Sequence, residues 1–408
     1  DQRIMAVGTA SIGPIKGVIV DGQLVALQTQ DIDDPVFDLV GERRQTRLIT
    51  PGRRIMAAPP AVTVVSTIAP SIPSSFDVGP TDTRVLSNTA LTLQTGWFND
   101  GGVPSSVWGD ATNTPANRQP GGPQMHSIIC DGDKVAVKVV GFQGVPKLQI
   151  KVDGEYIQAA AWDVPNTSAY TWYVIPFPDR KARTVTALLF GDTCMFAGFT
   201  VPTNAAVHDM PYQRRDLLLG DSYVWGDSLK VPGDTLAIQF AEKIGSLNVW
   251  PSGVGGSGIL TPAPGGAPAA VGRLDADVVP FMRAGDRLWV AMGTNDWGSG
   301  KSSSATAQGI RSLIRTIRQK LPGITLKVLT PWRPRSGANA NNTFDDEFKA
   351  AVQAEGVECV DVRRLFTGTG RVGATANNGN SDVCINTDAT HPTQIGADVA
   401  ATTLALYA

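Results

Sequence analysis

The periodicity of this chain changes near residue 210, and that change restricts the folds open to it. Upstream, short apolar runs alternate in period two and are cut by turn residues. "KVAVKVVG" sets Val135, Val137 and Val139 on one face; "LQIKVDG" does the same with Leu148, Ile150 and Val152 before the turn pair Asp153-Gly154. "YTWYVIPF", "RTVTALLFG" and "MFAGFTV" continue the series, with no amphipathic helix between them. Short strands at regular spacing predict a β-sandwich. Downstream, "DLLLGDS", "SLNVW", "RLWVAMG", "ITLKVLTP" and "VECVDV" read as strands separated by helical periods. "DTLAIQFAEKIG" carries Leu236, Phe240 and Ile244 on one face. "AQGIRSLIRTIRQKLPG" carries Ile310, Leu313, Ile314, Ile317 and Leu321, with Pro-Gly as the stop. "FDDEFKAAVQAEG" and "TQIGADVAATTLALY" read as two further helices. Strands alternating with helices predict an α/β domain, a parallel sheet with helices on both faces.

Four segments are expected on this reading. Residues 1–58 form a short β-rich N-terminal segment with a hairpin around Asp21-Gly22. Residues 59–75, rich in Pro, Ser and Thr, form a linker or edge segment. Residues 76–208 form the all-β sandwich, and 209–408 the α/β domain. A net charge of -2 and no long basic run argue against nucleic acid as a partner. No run of 18 apolar residues suggests a membrane span. With no C-x-x-C pair and three histidines, no metal site is expected, and no motif calls for a cofactor. One disulfide in each half, Cys130–Cys194 and Cys359–Cys384, would fit an oxidising compartment; four buried free thiols is the other reading. The chain opens Asp1-Gln2-Arg3, without Met or a charged-then-apolar leader, which is compatible with a trimmed or processed product.

The tripeptide Gly-Asp-Ser occurs twice, at 220–222 and 226–228. Ser222 directly follows Leu217-Leu218-Leu219, so it falls at the C-terminal end of the first parallel strand, where doubly wound sheets bind ligands. A helix beginning there would aim free N–H groups at it. Ser228 would face elsewhere, as a solvated or capping serine, and its loss should do little. A serine nucleophile needs a base. His126 lies among the strands and His208 between the two halves, whereas His391 in "DATHPTQIG" follows Asp388 by three residues, close enough for one loop to join carboxylate and imidazole. Pro392 keeps His391 extended, outside the helix that follows. Donors for a developing oxyanion can come from the glycine loop "SGVGGSGI" and from Asn295 in "AMGTNDWG". Trp297 beside them is a candidate wall for the acyl or sugar site, ahead of Trp97, Trp108, Trp162, Tyr170, Trp172 and Tyr173, which read mostly as sandwich core or edge.

Gly220-Asp221-Ser222, the glycine loop, Gly293-Thr294-Asn295-Asp296 and Asp388-x-x-His391 together resemble, in order, the four blocks of the SGNH (GDSL-type) hydrolase superfamily. The resemblance covers roughly residues 214–408. It implies a flavodoxin-like three-layer α/β/α fold with Ser222 as nucleophile, His391 as base and Asp388 as its orienting carboxylate. It implies an oxyanion hole of the Ser222 N–H, the Gly256 N–H and the Asn295 side chain. The glycine block departs from the commoner Gly-x-Ser-Gly form, and Gly255 remains an alternative to Gly256. A sandwich ahead of such a domain resembles carbohydrate acetylesterases in which a jelly roll precedes the catalytic domain. On that resemblance the expected substrate is an acetylated polysaccharide, cleaved through an acyl-serine. The rivals are a general short-chain esterase or thioesterase and a non-catalytic glycan-binding or structural virion protein. The segment order also resembles virion-borne tail proteins, which implies an extracellular or virion-associated protein that assembles, as a homo-oligomer or into a virion, through residues 1–58.

Overall fold

The computed structural model describes residues 9–12, 15–20, 23–28, 54–67, 123–141, 144–166, 170–190, 194–202, 204–208, 214–264, 266–332 and 342–408. The Asp21-Gly22 turn, Trp97, Trp108, residues 68–75 of the expected linker and residues 76–122 of the expected sandwich lie outside them. Near the N-terminus, β1 (Thr9–Ile12), β2 (Ile15–Val20) and β3 (Gln23–Gln28) form an antiparallel three-stranded sheet in the order β1-β2-β3.

Two antiparallel sheets follow. Their strands are β4 (Thr63–Thr67), β5 (Pro123–Cys130), β6 (Lys134–Gly141), β7 (Lys147–Val152), β8 (Glu155–Tyr156), β9 (Trp162–Asp163), β10 (Tyr170–Pro176), β11 (Arg183–Phe190), β12 (Cys194–Thr200) and β13 (Val207–His208). One sheet runs β12-β6-β10-β4 and the other β13-β5-β11-β7-β8, with β9 beside β7. Period-two alternation supplies the layer between them: Val135, Val137 and Val139 meet Leu148, Ile150 and Val152, with Val185, Ala187, Leu189, Phe196 and Phe199. Asp153 and Gly154 join β7 to β8 with φ of 50° and 88°, the left-handed pair that a two-residue hairpin needs. The segment expected as a linker or edge contributes β4, which pairs with β10 at the sheet edge. Its β-branched Thr63, Val64 and Val65 suit a pleated edge better than a free tether. Trp172 and Tyr173 are core residues, 0% and 1% exposed. His126 is buried and stacks on Phe196 with ring centroids 4.0 Å apart; burial pulls its imidazole down to about 3, so it stays neutral. All four cysteines are free thiols, Cys130, Cys194 and Cys384 buried and Cys359 half-buried, which is the free-thiol reading rather than the paired one.

The C-terminal half holds β14 (Asp216–Gly220), α1 (Ser222–Trp225), α2 (Leu236–Ile244), β15 (Val249–Gly253), α3 (Ala270–Asp277), β16 (Arg287–Ala291), α4 (Thr294–Gly298), α5 (Ser303–Lys320), β17 (Thr325–Leu329), α6 (Asn342–Ala354), β18 (Glu358–Val360), α7 (Ser381–Cys384) and α8 (Gln394–Leu406). The five strands are parallel in the order β15-β14-β16-β17-β18, the 2-1-3-4-5 arrangement of flavodoxin-like folds. Alternation sorts the central strands between two helical layers. Leu218, Trp289 and Ala291 face α2 and α8 through Phe240, Ala241, Ala401 and Leu404. Leu217, Leu219, Leu288 and Val290 face α3, α5 and α6 through Leu274, Ile310, Leu313, Ile314, Ile317 and Phe348. Strands covered on both faces read as continuous apolar runs, which is why "DLLLG" shows no alternation. Among the described residues, no helix is long and apolar enough to cross a membrane.

The sandwich and the α/β layer share a core. Met125, Tyr156 and Leu188, on the outer face of the β5-containing sheet, pack with Leu236 and Ile238 of α2. Tyr156 Oη and Lys151 Nζ both donate to Glu242 Oε1, at 2.5 and 3.0 Å, and the Gly233 N–H donates to Gln149 Oε1 at 2.8 Å.

Candidate active site

The order 2-1-3-4-5 reverses direction between β14 and β16, so the crevice past their C-terminal ends is where a ligand is expected. Ser222 follows β14 and Asn295 follows β16. Ser222 is the first residue of α1, whose N-cap Asp221 accepts from the Tyr223 N–H at 3.1 Å. Among the described residues, the Ser222 and Gly256 N–H groups have no acceptor. Asp221 is fully buried, and burial lifts its carboxyl to about 7 against the lowering pull of the Tyr223 N–H, His391 and Arg273.

The glycine loop is shaped by contacts that a Cβ would destroy. Gly256 has φ 76°, and a Cβ there would stand 2.5 Å from Pro264 Cδ. Gly253 ends β15 against α1, where a Cβ would overlap the Trp225 backbone nitrogen. Gly255, by contrast, has no atom within 4 Å of an added Cβ, so the special backbone is at Gly256. Asn295 Nδ2 donates to Ser257 O at 2.9 Å and lies 3.4 Å from Asp221 Oδ2, the looser of the two contacts. Asp296 binds the same loop: its carboxylate accepts from the Ile259, Leu260 and Thr261 N–H groups and from Thr261 Oγ1.

Asp388 and His391 meet within one tight loop. His391 Nδ1 lies 2.8 Å from Asp388 Oδ2, and Asp388 Oδ1 accepts from the N–H groups of Thr390 at 2.8 Å and His391 at 2.9 Å. Ala389, between them, takes φ 60°. Burial acts to raise the Asp388 carboxyl, but hydrogen bonds from the His391 backbone and ring, Thr390 and Ser228 prevail and hold it well below the usual carboxylate range. The carboxylate therefore stays ionised and fixes the ring with Nδ1–H toward it and Nε2 free to take a proton. Tyr223 joins this loop to the Ser222 helix: its hydroxyl donates to Thr390 O at 2.6 Å, and its ring stacks on Trp332 and tilts against His391 at 5.9 Å. No hydrogen bond joins Ser222 to the His391 ring among the described residues, and Nε2 stands 3.5 Å from Asp227 Oδ2.

The structure thus gathers Ser222, Gly256, Asn295, Asp388 and His391 around the ends of β14, β15 and β16. Trp297, 42% exposed, lies in α4 two residues past Asn295. Besides Tyr223, two groups escaped the sequence reading. Arg273 on α3 is wholly buried and donates to Asp277, Gly220 O, Ser257 Oγ, Ser252 O and Ser252 Oγ, tying both strand ends to the glycine loop. Ser228, read from the sequence as solvated or capping, donates to Asp388 Oδ2 at 2.9 Å. The spacing Arg273-x-x-x-Asp277 hinted at a helical ion pair but not at its place beneath the site.

Residues 218–399 match the GDSL-like Lipase/Acylhydrolase family. No curated protein matches the chain. Among solved structures, a family two carbohydrate esterase from Clostridium thermocellum aligns at 15% identity and TM-score 0.55, over 76% of this chain and 96% of that one. A carbohydrate esterase family 2 enzyme with a carbohydrate binding domain from Corynascus thermopiles (Myceliophthora fergusii) aligns at 18% identity and TM-score 0.54, over 76% and 96%. An acetyl xylan esterase from the rumen bacterium Butyrivibrio proteoclasticus aligns at 12% identity and TM-score 0.51, over 85% and 97%. At these identities the likeness is one of fold, and it spans the β-rich part as well as the α/β layer. The match to the GDSL-like lipase/acylhydrolase (SGNH) domain lies wholly within the C-terminal α/β half of this chain.

Proposed function

We propose that this protein is a serine esterase that removes small acyl groups, acetyl first among them, from a carbohydrate polymer. The observation that carries the proposal is the ionised Asp388 holding the His391 imidazole on the loop that Tyr223, the neighbour of Ser222, grips from α1. In acylation, Ser222 Oγ attacks the ester carbonyl and His391 Nε2 takes its proton, the ring and the serine hydroxyl closing into a hydrogen bond as substrate binds. Hydrogen bonds of this kind often tighten only when substrate is present. The N–H groups of Ser222 and Gly256 and the Asn295 amide receive the tetrahedral oxyanion. His391 returns the proton to the leaving alcohol, and water repeats the sequence on the acyl-serine, releasing the acid.

A carbohydrate as the alcohol is supported by fold likeness to carbohydrate esterases and by Trp297, an exposed indole on the helix that carries Asn295, a surface that a sugar ring can stack upon. The test compares acetate release from acetylated polysaccharides with turnover of short- and long-chain p-nitrophenyl esters, using Ser222→Ala as the control. Acetate release abolished by that substitution is the expected result. Turnover of short p-nitrophenyl esters without acetate release would transfer the reading to a general short-chain esterase. A wild-type chain that neither turns over these esters nor reacts with a fluorophosphonate probe would mark a non-catalytic protein.

A further inference from the structure

We infer that Ser228, in the second Gly-Asp-Ser, is a positioning residue for the Asp388–His391 dyad; the inference rests on the esterase reading above. Gly226 closes α1 with φ 85°, and Asp227 Oδ1 then accepts from the Ser228 N–H at 2.8 Å. Ser228 itself takes φ 67°, a backbone region that favours glycine and that other residues hold only where their surroundings impose it. In that conformation its hydroxyl donates to Asp388 Oδ2, the same oxygen that binds His391 Nδ1. Two N–H groups occupy Oδ1. Four donors thus match the roughly four lone-pair sites of a carboxylate, and the Ser228 hydroxyl is the one supplied from outside the 388–391 loop. It sets the rotation of the carboxylate, and through it the direction in which Nε2 points. The turn reaches the other end of the ring as well, since Asp227 Oδ2 stands 3.5 Å from Nε2. One tripeptide therefore supplies the nucleophile, and its copy six residues later orients the base.

The experiment measures kcat and KM on p-nitrophenyl acetate, and thermal unfolding, for Ser228→Ala, Ser228→Gly and Ser222→Ala in the full chain. Both Ser228 variants are expected to lose roughly 5- to 10-fold in kcat, the size of one ordinary hydrogen bond, with KM within about twofold of the parent. Glycine is at ease at φ 67°, so Ser228→Gly should unfold no earlier than the parent while showing the same loss of kcat. Unchanged kcat in both variants, a rise in KM alone, or a kcat loss that appears only with a lowered Tm would each overturn the positioning role. Persistent turnover in Ser222→Ala would instead overturn the nucleophile assignment beneath it, so the two failures are distinguishable.

Discussion

Replacing Arg273 by methionine tests whether the active-site floor is held by a single buried cation. The guanidinium and its partner Asp277 are both 0% exposed, and all five N–H donors are used, on Asp277, Gly220 O, Ser257 Oγ and both oxygens of Ser252. Methionine fills much of the volume but removes the charge and every donor. Deleting one member of a buried ion pair costs about 3–5 kcal/mol, because the other charge stays desolvated. For a domain of this size each kcal/mol moves the midpoint by roughly 2–4 °C, so Tm should fall by about 6–20 °C. A catalytic loss should accompany it: Gly220 precedes the Asp221-Ser222 pair, and Ser257 O anchors Asn295. Drift of these groups is expected to lower kcat by up to about 10²-fold. Lysine should not rescue, since three donors on a point charge cannot span the sites a planar fork reaches. Adding Asp277→Leu to Arg273→Met should recover at least half of the lost stability, because no lone charge then remains buried. Differential scanning calorimetry on the full chain, with kcat measured well below the midpoint, reads both effects. An Arg273→Met variant with the parent's midpoint and activity would refute the reasoning, as would a double variant less stable than the single.

Three further outcomes are expected. Asn295→Ala should lower kcat by roughly 10²–10³ with little change in Tm, the usual loss for one oxyanion donor; a KM effect alone would place Asn295 in ground-state binding. The Asp221 carboxyl is raised by burial from 3.8 to about 7. Between about pH 4 and pH 7 the unfolded chain has released a proton that the native state keeps, so this group makes stability fall as pH rises through that window. Asp221→Asn should remove that slope, gaining on the parent by up to about 4 kcal/mol between pH 4 and pH 8 in denaturant titrations; parallel curves would exclude a raised carboxyl. Trp297→Ala should raise KM for acetylated polysaccharide several-fold while leaving p-nitrophenyl acetate turnover near the parent value; equal losses on both substrates would remove the sugar-stacking role.

Period-two runs in the first half and strand–helix alternation in the second were enough to separate the sandwich from the α/β layer. In both cases the pattern is a direct image of which side of each element meets a core. Leu217-Leu218-Leu219 marked a strand buried on both faces, and Gly220-Asp221-Ser222 after it marked the loop at its end. The Asp153-Gly154 turn was legible because two successive left-handed residues restrict composition severely. Side chains were harder. Trp172 and Tyr173 alternate across β10 and still are both buried, because both faces of that strand are covered. The Pro/Ser/Thr-rich stretch left linker and edge open, since an edge strand tolerates the composition of a linker, and the pairing of β4 with β10 decided for the edge.

Local pattern thus determined the elements, their order and the loops that carry Ser222, Asn295, Asp388 and His391. Only the tertiary structure decided that Arg273 lies under those loops, that Tyr223 reaches Thr390, and that the second Gly-Asp-Ser turns back to hold Asp388. The reason is physical. Periodicity reports the faces of one element, whereas a hydrogen bond between Ser228 and Asp388 spans 160 residues of chain and exists only because the sheet order and the left-handed turn after α1 bring the two together.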